Sequence, residues 1–437
     1  MKAALFTADT FPYDLLQYVE ACPKKSGRQS TYAKTYANII ATFDIETTML
    51  DELQQGVMWH WQACVDGMVC TGRTWDEYRK FLTEIDRFLP QGLCFVQYAH
   101  NLAFEFQHLK AIHDFTADEV FCVTGRKVVK CNFGDRFEYR CSYFLTNMSL
   151  REFLKKYQVE DQKTEMDYAQ RRFPWTEIRP EEMQYCIADV LGLWEALTKM
   201  FKMDGYTLAS IPISSTGFVR EDFKRAMRKG KCIGIARKCA PDYPLYKALR
   251  RAFRGGNTHC SRLYTGVILG EHNGKPLKIS SYDRTSSYPD VILNDPFPIK
   301  PFHKVPPCPV SKLPVRTPYL VHIDMRNVEL KNPFDPCPYL AIHKCQVLTG
   351  CTGDNGRIVS ARHLQMYMTD IDMTITLSHY NFDGVVLELW VSEYGMLPQP
   401  MRDTTMKYYK LKTELKGDDA QRIYYDKAKA RLNSIYG

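Results

Sequence analysis

Two acids two residues apart, Asp44 and Glu46, close an otherwise apolar run, Tyr36 to Glu46 (YANIIATFDIE), that reads as a buried strand. Alternate residues of a strand point to one face, so the two charges lie side by side. They repel unless a cation sits between them, and an all-oxygen donor pair suits a hard divalent metal. An isolated Asp-x-Glu is more often incidental, with one acid facing solvent. Further acids change that balance. Glu105 falls on the first turns of a helix that starts near Asn101 and follows a strand, Leu93 to Ala99. Tyr185 and Asp189 are four apart on a helical stretch, Pro180 to Met203, and so share a face.

Three later stretches also carry chemistry. In Phe253-Arg254-Gly255-Gly256 the paired glycines let a backbone approach phosphate closely and the arginine adds charge; taken alone, a plain turn is the stronger reading. Ser281 to Pro289 (SYDRTSSYP) places Asp283 at the end of an expected strand, Leu277 to Asp283. Lys429, Asn433 and Tyr436 are i, i+4 and i+7, one helix stripe that Arg422, seven residues earlier, joins. The bland alternative for that stripe is a basic, solvated helix face.

The elements that must hold these residues follow from hydrophobic spacing. Residues 1 to about 36 look like a loosely held leader. Val57 to Val65 reads as a second strand, and Asp66-Gly67 after it is a hairpin signal. Thr74 can cap a helix whose Phe81, Leu82, Ile85, Phe88 and Leu89 keep helical spacing before Pro90 ends it. A helix fits Leu150 to Tyr157. Strands alternating with helices argue for an α/β domain over about 37–205. Beyond it, β-like runs are expected at Tyr319 to Met325, Tyr339 to Leu348, Met373 to Tyr380 and Gly384 to Val391. A helical hairpin broken at Gly417-Asp418-Asp419 is expected at the end.

The 437 residues are 45% apolar and 25% charged, ordinary for a globular chain of two or three domains, with a net charge of +8. The basic residues concentrate between Phe218 and Arg254, with twelve Lys/Arg against three acids, which fits a polyanionic partner or a solvated face. The fifteen cysteines contain no Cys-x-x-Cys pair, so neither a zinc site nor a disulfide framework is read, and a reducing cytoplasm is expected. No run approaches the ~20 apolar residues of a membrane span, and no membrane partner is expected.

In order and context these motifs resemble those of the family B DNA polymerases, in the branch of the protein-primed bacteriophage enzymes, over about 37–437. FDIETT, HNLAFE and YCIAD resemble the three motifs of that family's 3′–5′ proofreading exonuclease. The resemblance implies an α/β fold: a ribonuclease H-like exonuclease domain (37–205), then a partial polymerase palm/fingers (α+β) domain (206–437). It implies that Asp44, Glu46, Glu105 and Asp189 hold two magnesium ions, manganese being able to substitute, and that Tyr185 orients the attacking water. Thr47, His100, Asn101, Phe104, Ser149 and Leu150 match the family's single-strand ligands, and Lys163, in KTEMDY, matches a catalytic lysine of the protein-primed branch. The second motif departs from the family, which usually has Asp where this chain has Glu105; the longer stem changes reach and hence metal spacing.

The same resemblance extends downstream. Phe253-Arg254-Gly255-Gly256 is similar to the Tyr-x-Gly-Gly template-binding motif, with Phe253 in place of the tyrosine. SYDRTSSYP resembles polymerase motif A. Asp283 would then ligate a catalytic magnesium, backbone amides from Thr285 to Ser287 would cradle the triphosphate, and Tyr288 would lie under the sugar and exclude a ribose 2′-OH. KARLNSIYG resembles motif B, which turns Arg422, Lys429, Asn433 and Tyr436 toward the incoming dNTP and nascent base pair. Motif C, Tyr-x-Asp-Thr-Asp-Ser, is not found after motif B. Asp370-Ile371-Asp372 precedes motif B and lacks the tyrosine. The expectation is a polymerase portion without motif C and thumb, unable to extend a primer alone and completed by a separate C-terminal polypeptide if the enzyme is split. The β-rich span of about 310–400 between motifs A and B, ahead of fingers at about 401–437, favours an insertion that contacts a priming terminal protein. Primer-template and single-stranded DNA are the other expected partners, in the cytoplasm of a bacterial host. A freestanding metal-dependent 3′–5′ exonuclease and a non-catalytic DNA-binding remnant stay open as alternatives.

Overall fold

The apolar run around Asp44 becomes strand β1 (Ala41–Leu50) in the computed structural model, which describes residues 4–23, 34–159, 166–167, 169–267, 270–278, 280–284 and 286–435. β1 pairs antiparallel with β2 (Gln55–Val65), and β2 with β3 (Met68–Gly72) through the Asp66-Gly67 turn. Both turn residues have positive φ, 50° and 83°, the geometry that matches strand twist in a two-residue hairpin. Helix α1 (Trp75–Phe88) starts at Thr74 with a reciprocal capping box to Glu77. It presents Tyr78, Phe81, Leu82 and Ile85 to the sheet. β4 (Leu93–Ala99) then lies parallel to β1 and leads into α2 (Ala103–Leu109).

Among the described residues the sheet has nine strands. Their order is Leu5–Phe6, β3, β2, β1, β4, β6 (Phe137–Cys141), β5 (Val128–Phe133) and Val120–Cys122, with Thr35–Tyr36 beside β4. One face packs on α1 through Phe43, Ile45, Trp61 and Ala63. The other carries α3 (Leu150–Lys156) and α4 (Pro180–Asp204), and Thr42 of β1 donates its hydroxyl to the Val190 carbonyl of α4 at 2.8 Å. Residues 4–22 are not a loose leader. Phe11, Tyr13 and Leu16 are buried in the α1-side core and Leu5–Phe6 pairs with β3, because these apolar side chains cover the otherwise bare edge of α1. Contacts group residues 1–220 with 414–435 as one unit and 221–413 as a second.

The basic segment is helical: α5 (Ser215–Lys229), α6 (Ile233–Lys238) and α7 (Tyr243–Ala252), the last capped by Asp242. Ser287–Asn294 forms α8. In the second unit a five-stranded antiparallel sheet runs His303–Val305, β10 (Tyr380–Val391), β7 (Tyr319–Leu330), β9 (Arg357–Thr369), β8 (Val347–Asp354).

Several sequence expectations fail in this unit. Of Met373 to Tyr380, only Tyr380 is strand, opening β10; Met373 to His379 is the body of helix α9 (Asp370–His379), because Thr369 and Asp372 form a capping box that starts a helix despite the β-branched composition. Within Tyr339 to Leu348 only Val347 and Leu348 are in a strand. Ile342–Lys344 makes a short 3-10 turn. The partner of β8 is β9, which the sequence reading did not single out. Residues 277–278 and 280–283 show no strand pairing, since a strand needs a neighbour and none of the described strands lies beside them. The two helices expected at the end are present as α10 (Gln399–Glu414) and α11 (Arg422–Asn433), separated at Gly417-Asp418-Asp419.

Candidate metal-dependent active site

Alternation along β1 aims Thr42, Asp44, Glu46 and Thr48 at the α4 side of the sheet. α4 begins with Pro180 in its first turn and Glu182 at N3, and runs long enough to carry Asp189 back over β1. The result is a cluster: carboxylate oxygens of Asp44, Glu46 and Asp189 all lie within 4.8 Å of one another. Glu46 and Asp189 are buried and Asp44 partly so. Glu105, one turn into α2, is 2% exposed and hydrogen-bonds Asp44. Burial, and then the charges of Asp44 and Glu46, push its carboxyl far above the ordinary carboxylate range.

The donor set fits a hard divalent ion. Every donor is a carboxylate oxygen, and Oε2 of Glu105 is buried with no hydrogen-bond partner among the described residues. Tyr185, one turn before Asp189, is half-buried beside Cys186 and Trp59. Burial and the nearby Glu46, Asp44 and Asp189 raise the Cys186 thiol, keeping it neutral.

Two residues at this site escaped the sequence reading. Gln62, opposite Asp44 in register, donates Nε2 to Asp44 Oδ2 at 2.8 Å. His60, opposite Glu46, is buried and held neutral by burial and by Arg73, its pKa lowered to about 3. The signal was available: two polar residues at i and i+2 inside the apolar strand Trp59-His60-Trp61-Gln62-Ala63.

The other residues proposed for this half lie on the neighbouring strands, turns and helices. Thr47 follows Glu46 at a register shift in the β1–β2 pairing. His100 shares a 3.0 Å hydrogen bond between Nδ1 and Ser142 Oγ. Asn101 takes the left-handed conformation (φ 70°) that turns the chain from β4 into α2, and Phe104 is exposed on α2. Ser149 caps α3, with Leu150 its first residue, and its hydroxyl accepts from Glu152 N. Lys163 lies outside the described residues, as do Thr285 and Tyr436.

In the second unit Arg254 stacks its guanidinium over Tyr339 at 5.0 Å and lies 3.4 Å from Asp372 Oδ1. Gly255 and Gly256 line a cavity of about 220 Å³ together with Tyr339, Lys344, Arg357 and Asp372. The Tyr288 hydroxyl lies 3.4 Å from where a Cβ on Gly256 would stand. Phe253, Ser281, Tyr282 and Asp283 are exposed, and Ser287 and Tyr288 open α8. Lys412 of α10, another residue the sequence reading passed over, donates to Ser286 Oγ at 3.0 Å. On α11, Arg422, Lys429 and Asn433 are exposed while Ala428 and Leu432 are buried and Lys427 pairs with Asp204 at 2.8 Å.

Among known proteins, the DNA polymerase of Bacillus phage Nf is 24% identical over 292 residues, 66% of this chain and 46% of the relative. That of Bacillus phage B103 is 24% identical over 238 residues, 54% of this chain and 38% of the relative. The matches thus span less than half the length of these relatives. Two solved structures resemble the chain. Phi29 DNA polymerase complexed with primer-template DNA has a TM-score of 0.66 at 18% identity, covering 92% of this chain and 67% of that one. Its complex with single-stranded DNA has a TM-score of 0.65 at the same identity and coverage. At that identity the likeness establishes the fold. The family model for DNA polymerase type B, organellar and viral, matches residues 95–437, well over half of the chain, and to that family this chain belongs.

Proposed function

We propose that the chain is part of a DNA-directed DNA polymerase with a 3′–5′ proofreading exonuclease, serving protein-primed phage replication in a bacterial host's cytoplasm. The observation that carries the exonuclease reading is the convergence of Asp44, Glu46 and Asp189, with Glu105 behind them, on one buried face. These four would hold magnesium, or manganese in its place. Bound there, two such ions would supply an activated water and stabilise the leaving 3′ oxygen. The chain's own residues do the rest. Gln62 holds the Asp44 carboxylate in orientation through its Nε2 donation, Glu105 would offer Oε2 as a further ligand on losing its proton to solvent, and Tyr185 would orient the attacking water. Thr47, His100, Asn101, Phe104, Ser149 and Leu150 position the unstacked 3′ end, with Lys163 beside it.

For synthesis, we assign Asp283 to metal binding, Ser287 and Tyr288 to the dNTP, and Arg422, Lys429, Asn433 and Tyr436 to the dNTP and nascent base pair. Phe253, Arg254, Gly255 and Gly256 are assigned to the template. What supports this half is the membership of the family and the cationic cavity at Arg254. The β-rich span 310–400 is the proposed contact for a terminal protein, and a separate polypeptide carrying motif C remains a partner to seek. The test is digestion of 3′-labelled single-stranded DNA. Mononucleotides should appear only with added magnesium or manganese, and the Asp44→Ala/Glu46→Ala variant should lose cleavage while still binding DNA. Undiminished cleavage by that variant sinks the assignment. Synthesis is tested by Asp283→Ala in primer extension by the chain together with a polypeptide carrying motif C, where unimpaired extension rejects the role given to Asp283.

A further inference from the structure

Trp175 is 81% exposed, yet its indole lies parallel to the Phe173 ring, with centroids 5.1 Å apart and planes 6° from coplanar. An indole this open leaves apolar area in water that one stacked neighbour covers on a single face. The loop that carries the pair is pinned on several sides. Arg73 donates Nη2 to the carbonyls of Phe173 and Thr176 at 2.9 and 2.8 Å. The Arg172 guanidinium is buried against Glu182, and the Phe173 amide donates to Thr176 Oγ1 at 2.9 Å. The rings are therefore preorganised, with little ordering left to cost on binding.

The position of the loop gives the platform a use. The Arg172 amide donates to Thr48 Oγ1 at 2.9 Å. Thr48 is two residues beyond Glu46 on the same face of β1, one pleat repeat or about 7 Å along the strand. The loop thus begins where the carboxylate face ends. Arg171 and Arg179, on either side of the pair in sequence, are exposed but already matched to acids, Arg171 to Asp51 and Glu52 and Arg179 to Glu182. A flat, exposed aromatic face next to a site for a single strand's end matches the chemistry of an unpaired base, which needs a surface to stack on.

We propose that Trp175, backed by Phe173, is a stacking platform for one unpaired base of the strand that enters the carboxylate site. This rests on the exonuclease reading above. The test uses the full chain in EDTA, where nothing is cut, with a labelled oligothymidylate and fluorescence anisotropy. Trp175→Ala should weaken binding about tenfold, while Trp175→Phe stays within about threefold of wild type. The side chain is exposed, so the variant should fold normally, which circular dichroism checks. A scan with one abasic nucleotide moved along the oligomer should find a position that weakens wild type as much as Trp175→Ala does and leaves that variant unchanged. Equal affinity of wild type and Trp175→Ala, or an abasic penalty of the same size in both, overturns the platform and leaves the aromatic pair to a protein partner. Cleavage with magnesium is read separately. An uncut oligomer with the Trp175–base coupling intact rejects the exonuclease reading alone. Normal cleavage without the coupling rejects the platform alone.

Discussion

At the scale of single residues, orientation of the carboxylates depends on neighbours that touch no substrate. Gln62 is fully buried and gives its amide to Asp44, so its removal frees an acid that the cation needs held. Gln62→Leu should raise the magnesium concentration for half-maximal cleavage by about 10–100-fold with a small effect on folding, read by metal titration of the cleavage rate. Glu182 illustrates the opposite case, a buried acid used only for structure. Burial alone would raise its carboxyl, but hydrogen bonds from Arg179 and Arg172 outweigh that and lower it to about 2. A folded value below the unfolded one means that the group's stabilisation is present above about pH 4.3 and is lost as pH falls toward 2. Denaturation across that window should show wild type losing about 3 kcal/mol that Glu182→Gln does not lose. Parallel curves for the two proteins would contradict the assignment.

At the scale of elements, the helix that backs the first core is set by its cap and by one close approach. Thr74 accepts from the Glu77 amide while Glu77 returns to the Thr74 amide, and the Thr74 carbonyl takes the Trp61 indole N–H at 3.0 Å. Thr74→Ala should therefore cost about 1 kcal/mol, seen as a lower midpoint of urea unfolding. Gly72, at the end of β3, passes so close to that indole that an added Cβ would fall 2.6 Å from Trp61 Nε1. Trp61 is fully buried and cannot swing away, so Gly72→Ala should destabilise by about 1–3 kcal/mol by overpacking. Equal stability of Gly72→Ala and wild type would mean that the strand end shifts to make room.

At the scale of the whole molecule, charge is the property that separates regions. Every Lys and Arg from Arg220 to Arg251 is exposed, and only Arg254, stacked on Tyr339, is drawn inward. A run of cations in water has little structural reason to persist and is suited to phosphates. Single-stranded DNA binding should weaken with salt, log affinity falling against log salt by about 0.7 per phosphate contacted. Removing four of these charges, as in Arg228→Ser, Lys229→Ser, Arg237→Ser and Lys238→Ser together, should flatten the slope. An unchanged slope would show the segment to be only a solvated face. No helix among the described residues is long and apolar enough to cross a membrane.

How much could be read from sequence alone depended on how local the cause was. The strand at Asp44, the Asp66-Gly67 hairpin, the cap at Thr74 and the helix starting at Pro180 were all legible, because each follows from spacing and turn or cap chemistry within a few residues. The motifs at 44–46, 105 and 185–189 were legible for the same reason, as types on expected elements. What sequence left undecided was long-range. Gln62 reached Asp44, and His60 came opposite Glu46, only once β2 paired with β1 in a given register. Met373 to Tyr380 reads as strand by composition, and only the Thr369 cap and its packing against β9 make Met373 to His379 helix. The leader at 4–22 became core because α1 offered it an apolar edge. The Phe173–Trp175 platform exists only because Thr48 and Arg73, far away in the chain, hold its loop beside Glu46's strand. Pairing and burial are properties of two distant segments at once, and one-dimensional periodicity carries no record of which segments will meet.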